Sequence, residues 1–341
     1  MPGIGSRSLS VAVAIMLQLA STLCASSQEQ PYRGKQIRMV IGSGAGGGYD
    51  TYGRILSRFL EKYIPGKPSV VIQNMPGAAG MTAMNWAYNV APKDGTVILA
   101  TFNVLLAQPL FDDPTVQYDM QKFEPVGSFS KIQNTCITWH TSPIKTIQQA
   151  KEREVLLAAT GAAGNSVLWP KIMNAVLGTK FKPVVGYGTS EQRLALERGE
   201  AEGICGLSWS TIKASTPDWV MNKRINVLVQ TGGARQKALP DVPLVLDFVT
   251  NSDDRTLLNF MSFIEELGRP FIMPPGTPPA LVSIVRRAFD ASLSDPEMIR
   301  EAEAQLLEVD PISGEDMARI IRGAYAIPKS VVKRVSQIAA E

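Results

Sequence analysis

Apolar positions along the chain follow two alternating rhythms. Short apolar runs end in small-residue loops, and each loop feeds a stretch with helical spacing. The first such unit opens "KQIRMVIGSGAGGGYDTYGRILSRFLEKYIPGKPSVVIQN". Residues 37–41 predict a strand that ends in the glycine loop. From about Asp50 the period changes, and Ile55, Leu56, Phe59, Leu60 and Tyr63 share one helical face. Asp50 sits at the helix start, where a carboxylate satisfies free N–H groups, and Arg54 follows at i+4. "IPGKP" ends the helix. "SVVIQN" predicts a second strand, "MPGAAG" a loop feeding a helix through Trp86 and Tyr88, and "PKDGTVILAT" a turn and third strand. Strand, loop and helix repeated in this way predict a parallel sheet covered by helices.

The rhythm returns after about residue 130. "NTCITWH" reads as a strand, "TIQQAKER" as a short helix, and "EVLLAAT" as a strand whose loop "GAAGNS" leads into a helix ending at Gly178. Pro170 fits only the first turn of a helix, which leaves the start of this one open. "PVVGY" is a strand, and "GTS" enters the helix "EQRLALER", with Thr189 and Gln192 at capping-box spacing and Gly199 at the stop. "AEGICGL" and "RINVLVQ" are further strands. Past residue 240 come the proline-rich turns "LPDVPL" and "MPPGTPP", then a helical reading of "ALVSIVRRAFDASLSDPEMIREAEAQL" and of residues 314–338. The predicted fold class is α/β, with two similar units forming two lobes, followed by a mostly helical C-terminal region. Strand-end loops of such lobes face each other across a cleft.

The N-terminus breaks this pattern. Arg7 is the only charge before an apolar run from Leu9 to Leu23, and small residues follow. That is the form of a secretory signal peptide, assigned to residues 1–26 with cleavage after Ala25 or Ser26. The run is short for a membrane span and Gln18 interrupts it. Leu23 is bulky where a lipoprotein signal has a small residue before its cysteine, here Cys24. Cleavage leaves Cys136 and Cys205, which export would place in an oxidising compartment. A disulfide between them and two separate buried thiols are both open. The formal net charge of the 341 residues is +3. That value, with no basic run or basic–aromatic interleaving, excludes nucleic acid as an expected partner.

Four loops share one character: "GSGAGGGYD", "NMPGAAG", "ATGAAGNS" and "GYGTSE". Each is small and nearly uncharged, and each lies between a strand and a helix. Such loops offer backbone N–H groups to an anion without Lys or Arg. Taken singly, each is also a plain βα turn. Gly42, Gly44 and Gly47 match G-x-G-x-x-G, but the second strand ends in Gln73 and Asn74, with no carboxylate for a ribose. No Gly-Lys-Ser/Thr makes a phosphate loop. For catalysis the supply is poor: one histidine, His140, no zinc cluster and no nucleophile elbow. Asp112–Asp113 and Glu265–Glu266 lie in polar stretches and read as solvated. Tyr49, Phe102, Asn103, Asn165, Tyr187 and Trp209 sit near predicted strand ends, as cleft-lining or packing residues.

The segments "IRMVIGSGAGGGYDTYGRIL", "VVIQNMPGAAG", "APKDGTVILAT", "LALERGEAEG" and "LPDVPLV…PPGTPPALV" occur in order. Together they resemble the extracytoplasmic substrate-binding receptors of tripartite tricarboxylate transporters, also called Bug receptors, over nearly the whole mature chain. The resemblance implies a type II periplasmic-binding-protein fold. Lobe one would be 30–128 plus 232–341 and lobe two 129–231, with crossings near Ser128–Ser130 and Gln230–Gly232. It implies a periplasmic receptor for a small carboxylate, held through backbone groups and ordered water. A monomer without cofactor or enzymatic activity is implied, one that docks transiently on a membrane permease. Carried over, the site is Gly46, Gly47, Gly48, Asp50, Ala78 and Ala79 with Gly161, Asn165, Ser166, Gly188 and Thr189. Three departures stand out. Tyr49 replaces the family's small residue or Thr, "QNMPGAAG" replaces "ENRPGAGG", and no His follows "GAAGNSVLW". A sensory receptor signalling to a membrane kinase uses the same fold, and a secreted enzyme is the rival of another class.

Overall fold

The computed structural model describes residues 30–111 and 113–340. The expected signal peptide, Cys24 and Asp112 lie outside them. The described chain is an α/β fold with two sheets. The first contains β1 (Gln36–Ile41), β2 (Ser69–Asn74), β3 (Val97–Ala100), β4 (Glu124–Ser128), β10 (Pro270–Met273) and β11 (Ile312–Ser313). Its order is β11-β4-β10-β3-β1-β2. The second contains β5 (Asn134–Trp139), β6 (Val155–Ala159), β7 (Phe181–Val185), β8 (Gly203–Ser208) and β9 (Ile225–Gln230), in the order β7-β6-β8-β5-β9.

The expected parallel pairing covers only part of each sheet. β1 runs parallel to β2 and β3, and β6 parallel to β7 and β8. Strand β10 is antiparallel to both its neighbours, β3 and β4, and β5 is antiparallel to β8 and β9. β10 falls in the region that reads as helical. It is only the fully buried "PFIM", too short for a period to show.

The helices follow the apolar stripes. α1 (Gly48–Tyr63) starts two residues before Asp50 and lays Ile55, Leu56, Phe59 and Leu60 on the first sheet. α2 (Met81–Asn89) follows β2, α3 (Asn165–Leu177) follows β6, and α4 (Glu191–Glu197) follows β7. Pro170 sits in the second turn of α3, not the first. Buried neighbours on both sides, Leu168, Trp169, Ile172 and Met173, carry the helix through it. The Thr189–Gln192 capping box does not form. Gly188 N–H donates instead to Glu191 Oε2 (2.7 Å), and Gln192 Nε2 donates to the Ala158 carbonyl (2.8 Å). "TIQQAKER" yields only one 3₁₀ turn, Gln149–Lys151.

α5 (Trp209–Ser215) and α6 (Pro217–Met221) follow β8. The C-terminal region adds the unforeseen α7 (Ser252–Glu266), then α8 (Pro279–Leu293), α9 (Pro296–Ala304), α10 (Gly314–Tyr325) and α11 (Lys329–Ala340). Asp295 splits the long expected helix: its Oδ1 accepts from Glu297 N–H (2.8 Å), and Pro296 occupies the first turn of α9. α11 packs on α7 and also on α3, which follows a strand of the second sheet. No helix among the described residues is long and apolar enough to cross a membrane.

Cys136 on β5 and Cys205 on β8 are direct cross-strand partners, both fully buried, and they form a disulfide. Protein purified from an oxidising compartment and denatured without reductant should therefore titrate no thiol from this pair; two reactive thiols would show the bond absent.

Candidate functional site

Loops at the ends of strands from both sheets meet face to face. From the first sheet come residues 42–47, residues 75–80 and the end of β3 at Phe102 and Asn103. From the second come residues 160–164, residues 186–190 and the β8–α5 junction. The approach is close, to backbone at Gly161 and to a side chain at Gly47. A Cβ on Gly161 would lie 2.9 Å from the Ala79 nitrogen, and one on Gly47 would lie 3.2 Å from Thr189 Cβ. Ser190 Oγ donates to the Ala45 carbonyl (3.3 Å), and Asn165 Nδ2 donates to Asn103 Oδ1 (3.0 Å). Gly77, Ala78, Ala79 and Gly80 all have positive φ, at 138°, 45°, 55° and 91°. Such a run in two alanines is strained backbone of the kind that gathers at binding sites.

Two cavities lie between these loops. The inner one holds about 60 Å³ and the outer cleft about 300 Å³. Phe102, Thr160 and Thr189 line both and mark the neck between them. Of the residues singled out in the sequence, Gly48, Tyr49, Asn165 and Ser166 line the inner cavity. Ala78, Ala79, Gly188 and Tyr187 line the outer cleft. Gly46, Gly47, Asp50, Asn103 and Gly161 line neither and instead build the walls. Trp209 is buried among Ile212 and Trp219, as a packing residue.

Asp50 is a brace. It is buried and accepts from Gly46 N–H (2.9 Å), Arg54 Nε (2.8 Å) and Asn74 Nδ2 (2.9 Å). Burial alone would raise its pKa; the hydrogen bonds from Arg54, Asn74 and Gly46 outweigh burial and hold the carboxyl below its ordinary range. The glycine loop is thus tied to its own helix and to β2. Asn103 is likewise a strut, fully buried, with Nδ2 donating to the Ile264 carbonyl (3.1 Å). Tyr49 packs on Phe102 with ring centroids 4.6 Å apart and planes tilted by 59°, and its hydroxyl donates to the Gly268 carbonyl (3.3 Å). Burial pushes its pKa up to about 12 although Arg269 pulls the other way.

Two buried charges at the α7–β10 corner escape a sequence reading. Arg269, 2% exposed, lines the inner cavity. Its Nη2 donates to Ser208 Oγ (3.0 Å), Ser210 Oγ (3.1 Å) and Thr211 Oγ1 (3.1 Å), and Nη1 to Ser130 Oγ (3.3 Å). The guanidinium lies 4.0 Å over the Tyr52 ring. Glu265 corrects the solvated reading of Glu265–Glu266: it is 2% exposed, while Glu266 is exposed. Its carboxylate accepts from Asn134 Nδ2 (2.6 Å), Trp169 Nε1 (2.9 Å) and Thr231 Oγ1 (2.7 Å). The one available signal was an arginine, in "LGRPFIM", directly ahead of an apolar run.

A model of the "Tripartite tricarboxylate transporter family receptor" matches residues 58–336. The chain belongs to this receptor family. The match begins within α1, so the glycine loop lies ahead of the matched span. Among relatives of the receptor, a UPF0065 protein of Bordetella bronchiseptica is 25% identical over 293 residues, 82% of this chain and 81% of that protein. The fold of the receptor is similar to that of the periplasmic binding protein BugD, at a TM-score of 0.72, with 20% identity over 91% of this chain and 99% of BugD. MatC from Rhodopseudomonas palustris with bound malate follows at 0.70, with 17% identity over 89% of this chain and 99% of that one.

The receptor carries a pH dependence in Glu265. Burial raises its pKa from an ordinary 4.5 to about 7, against the pull of its Thr231, Asn134 and Trp169 donors. An acid raised on folding gives stability that is whole below the unfolded pKa and is lost as pH rises through the folded one. The loss is on the order of 3 kcal/mol. Glu265→Gln should therefore gain stability relative to wild type between pH 5 and about 8. Melting curves of both proteins across that range check it; a constant difference would refute the shift.

Proposed function

We infer that this chain is a periplasmic receptor that captures a small organic anion and delivers it to a tripartite tricarboxylate-type permease. The observation that carries the reading is the inner cavity between the first turns of α1 and α3. Gly48 and Tyr49 of one helix and Asn165 and Ser166 of the other line it, and they come from opposite sheets. Free N–H groups and the positive ends of two helices attract a carboxylate from both sides. Membership of a transporter-receptor family and the likeness to a malate-bound relative support the same ligand class.

In this reading the sheets are the cores of two lobes, 30–128 with 232–341, and 129–231. The crossings near Ser128–Ser130 and Gln230–Gly232 act as the hinge, and α11 lies across both lobes. Closure brings the two loop sets together around the ligand and expels water. The low dielectric then strengthens each hydrogen bond to the anion. The loop contacts at Gly47–Thr189 and Gly161–Ala79 are those of the closed form. The receptor performs no chemistry, and the closed form is what the permease reads.

The test is a thermal-shift screen of the mature protein with mono-, di- and tricarboxylates, aromatic acids and uncharged controls. A ligand at ~100 times its Kd stabilises by about 2.7 kcal/mol, which is several degrees for a chain of this size. Stabilisation by neutral compounds alone would sink the anion reading. Gly47→Val forces branched carbons against Thr189 across the cleft, so it should abolish the ligand-induced shift while leaving far-UV circular dichroism unchanged. Wild-type affinity in that variant would remove the loop from the site.

A further inference from the structure

We propose that Arg269 is the counter-charge for the ligand's carboxylate, and that the site selects anions lacking an ammonium group. The inference rests on the receptor reading above and adds to it a residue and a ligand class. Arg269 is a buried guanidinium that pairs with no carboxylate among the described residues. Its neutral partners are the hydroxyls of Ser130, Ser208, Ser210 and Thr211, and its buried Nε has no partner. A buried charge left to hydroxyls is costly, and an unused donor adds to the cost. The cost of the unpaired charge falls when an anion enters the adjoining cavity. The hydroxyls that accept from Nη2 hold the group in place until then.

Charge balance in the two cavities fixes the class. No acidic side chain lines the inner cavity, and no charged side chain of either sign lines the outer cleft. Glu265, the buried acid nearest in sequence, lines neither space: its Oε1 accepts from Asn134 and Trp169, and it borders a separate surface pocket beside Gly232. An α-amino acid would bring an ammonium into this space with no carboxylate to meet it. The inner cavity has the volume of a head group only, so the rest of the ligand passes the neck at Phe102, Thr160 and Thr189 into the outer cleft. The ligand is thus a linear carboxylate whose far end is met by backbone groups around Ala78–Gly80.

The experiment is calorimetric titration of linear mono- and dicarboxylates, each beside its amide and its α-amino derivative, with phosphate and sulfate as inorganic anions. Wild type should bind at least one carboxylate and lose about 30-fold or more for its amide and for its amino derivative. Arg269→Gln should lose a similar factor, and Arg269→Lys should recover part of it. Should Arg269→Gln fail to fold, the Nε–H resonance of Arg269 in labelled wild type gives the second readout, and it should shift when the carboxylate binds. Full affinity in Arg269→Gln, an unmoved resonance, or equal affinity for the amino derivative overturns the proposal and leaves the receptor reading standing. Binding of phosphate or sulfate with no carboxylate overturns both.

Discussion

Beside the loop contacts and α11, one short corner of the chain ties the two sheets together through buried charges. Between the end of α7 and the start of β10, Glu265 and Arg269 lie four residues apart, and both are buried. Each is hydrogen-bonded by side chains of the other half: Glu265 by Asn134, Trp169 and Thr231, Arg269 by Ser208, Ser210 and Thr211. Charges cannot be withdrawn from water without such partners. The corner therefore dictates where β5, α3 and the β8–α5 junction stand relative to β3 and β4. The same requirement places a cation in the lining of the inner cavity, together with Tyr49.

Around that corner the glycine loops act through what they lack. Cβ atoms at Gly161 and Gly47 would occupy the space that the facing backbone and Thr189 now fill. Asp50 gives the first loop a fixed shape by gathering Gly46, Arg54 and Asn74 on one carboxylate. Close approach and fixed shape together let backbone donors line the cavity beside Arg269. The brace offsets part of the backbone entropy that a loop this rich in glycine loses on ordering.

What could be read from the chain was what is local. β1, α1, β2 and α2 each carry their own period, so they are visible in "IRMVIGSGAGGGYDTYGRIL" and its sequel. The four loops are visible for the same reason. β10 is not: four buried residues show no alternation, and its partners Leu99, Ala100 and residues 124–128 are far off in sequence. Glu265 and Glu266 are adjacent and chemically alike, yet one is buried and one exposed. A helix turns about 100° per residue, so only packing decides between them. Asp50 was legible as a helix-start carboxylate, but its three donors converge only once β2 lies beside β1. Arg269 draws its partners from residues 130 and 208–211, a constellation no local pattern announces.

The strand order carries a consequence for the time course of folding. The second sheet is drawn from one continuous stretch, residues 134–230, and can be assembled as soon as that stretch exists. The first sheet cannot. β3 and β4 are neighbours only through β10, which arrives some 140 residues after β4. Without β10, the edges of β3 and β4 that it covers have no strand partner in this sheet order. Pairing across so long a separation is slow, and open edges invite pairing with other chains. The half of the molecule that begins the sequence therefore cannot be completed without the longest-range strand pairings in the fold.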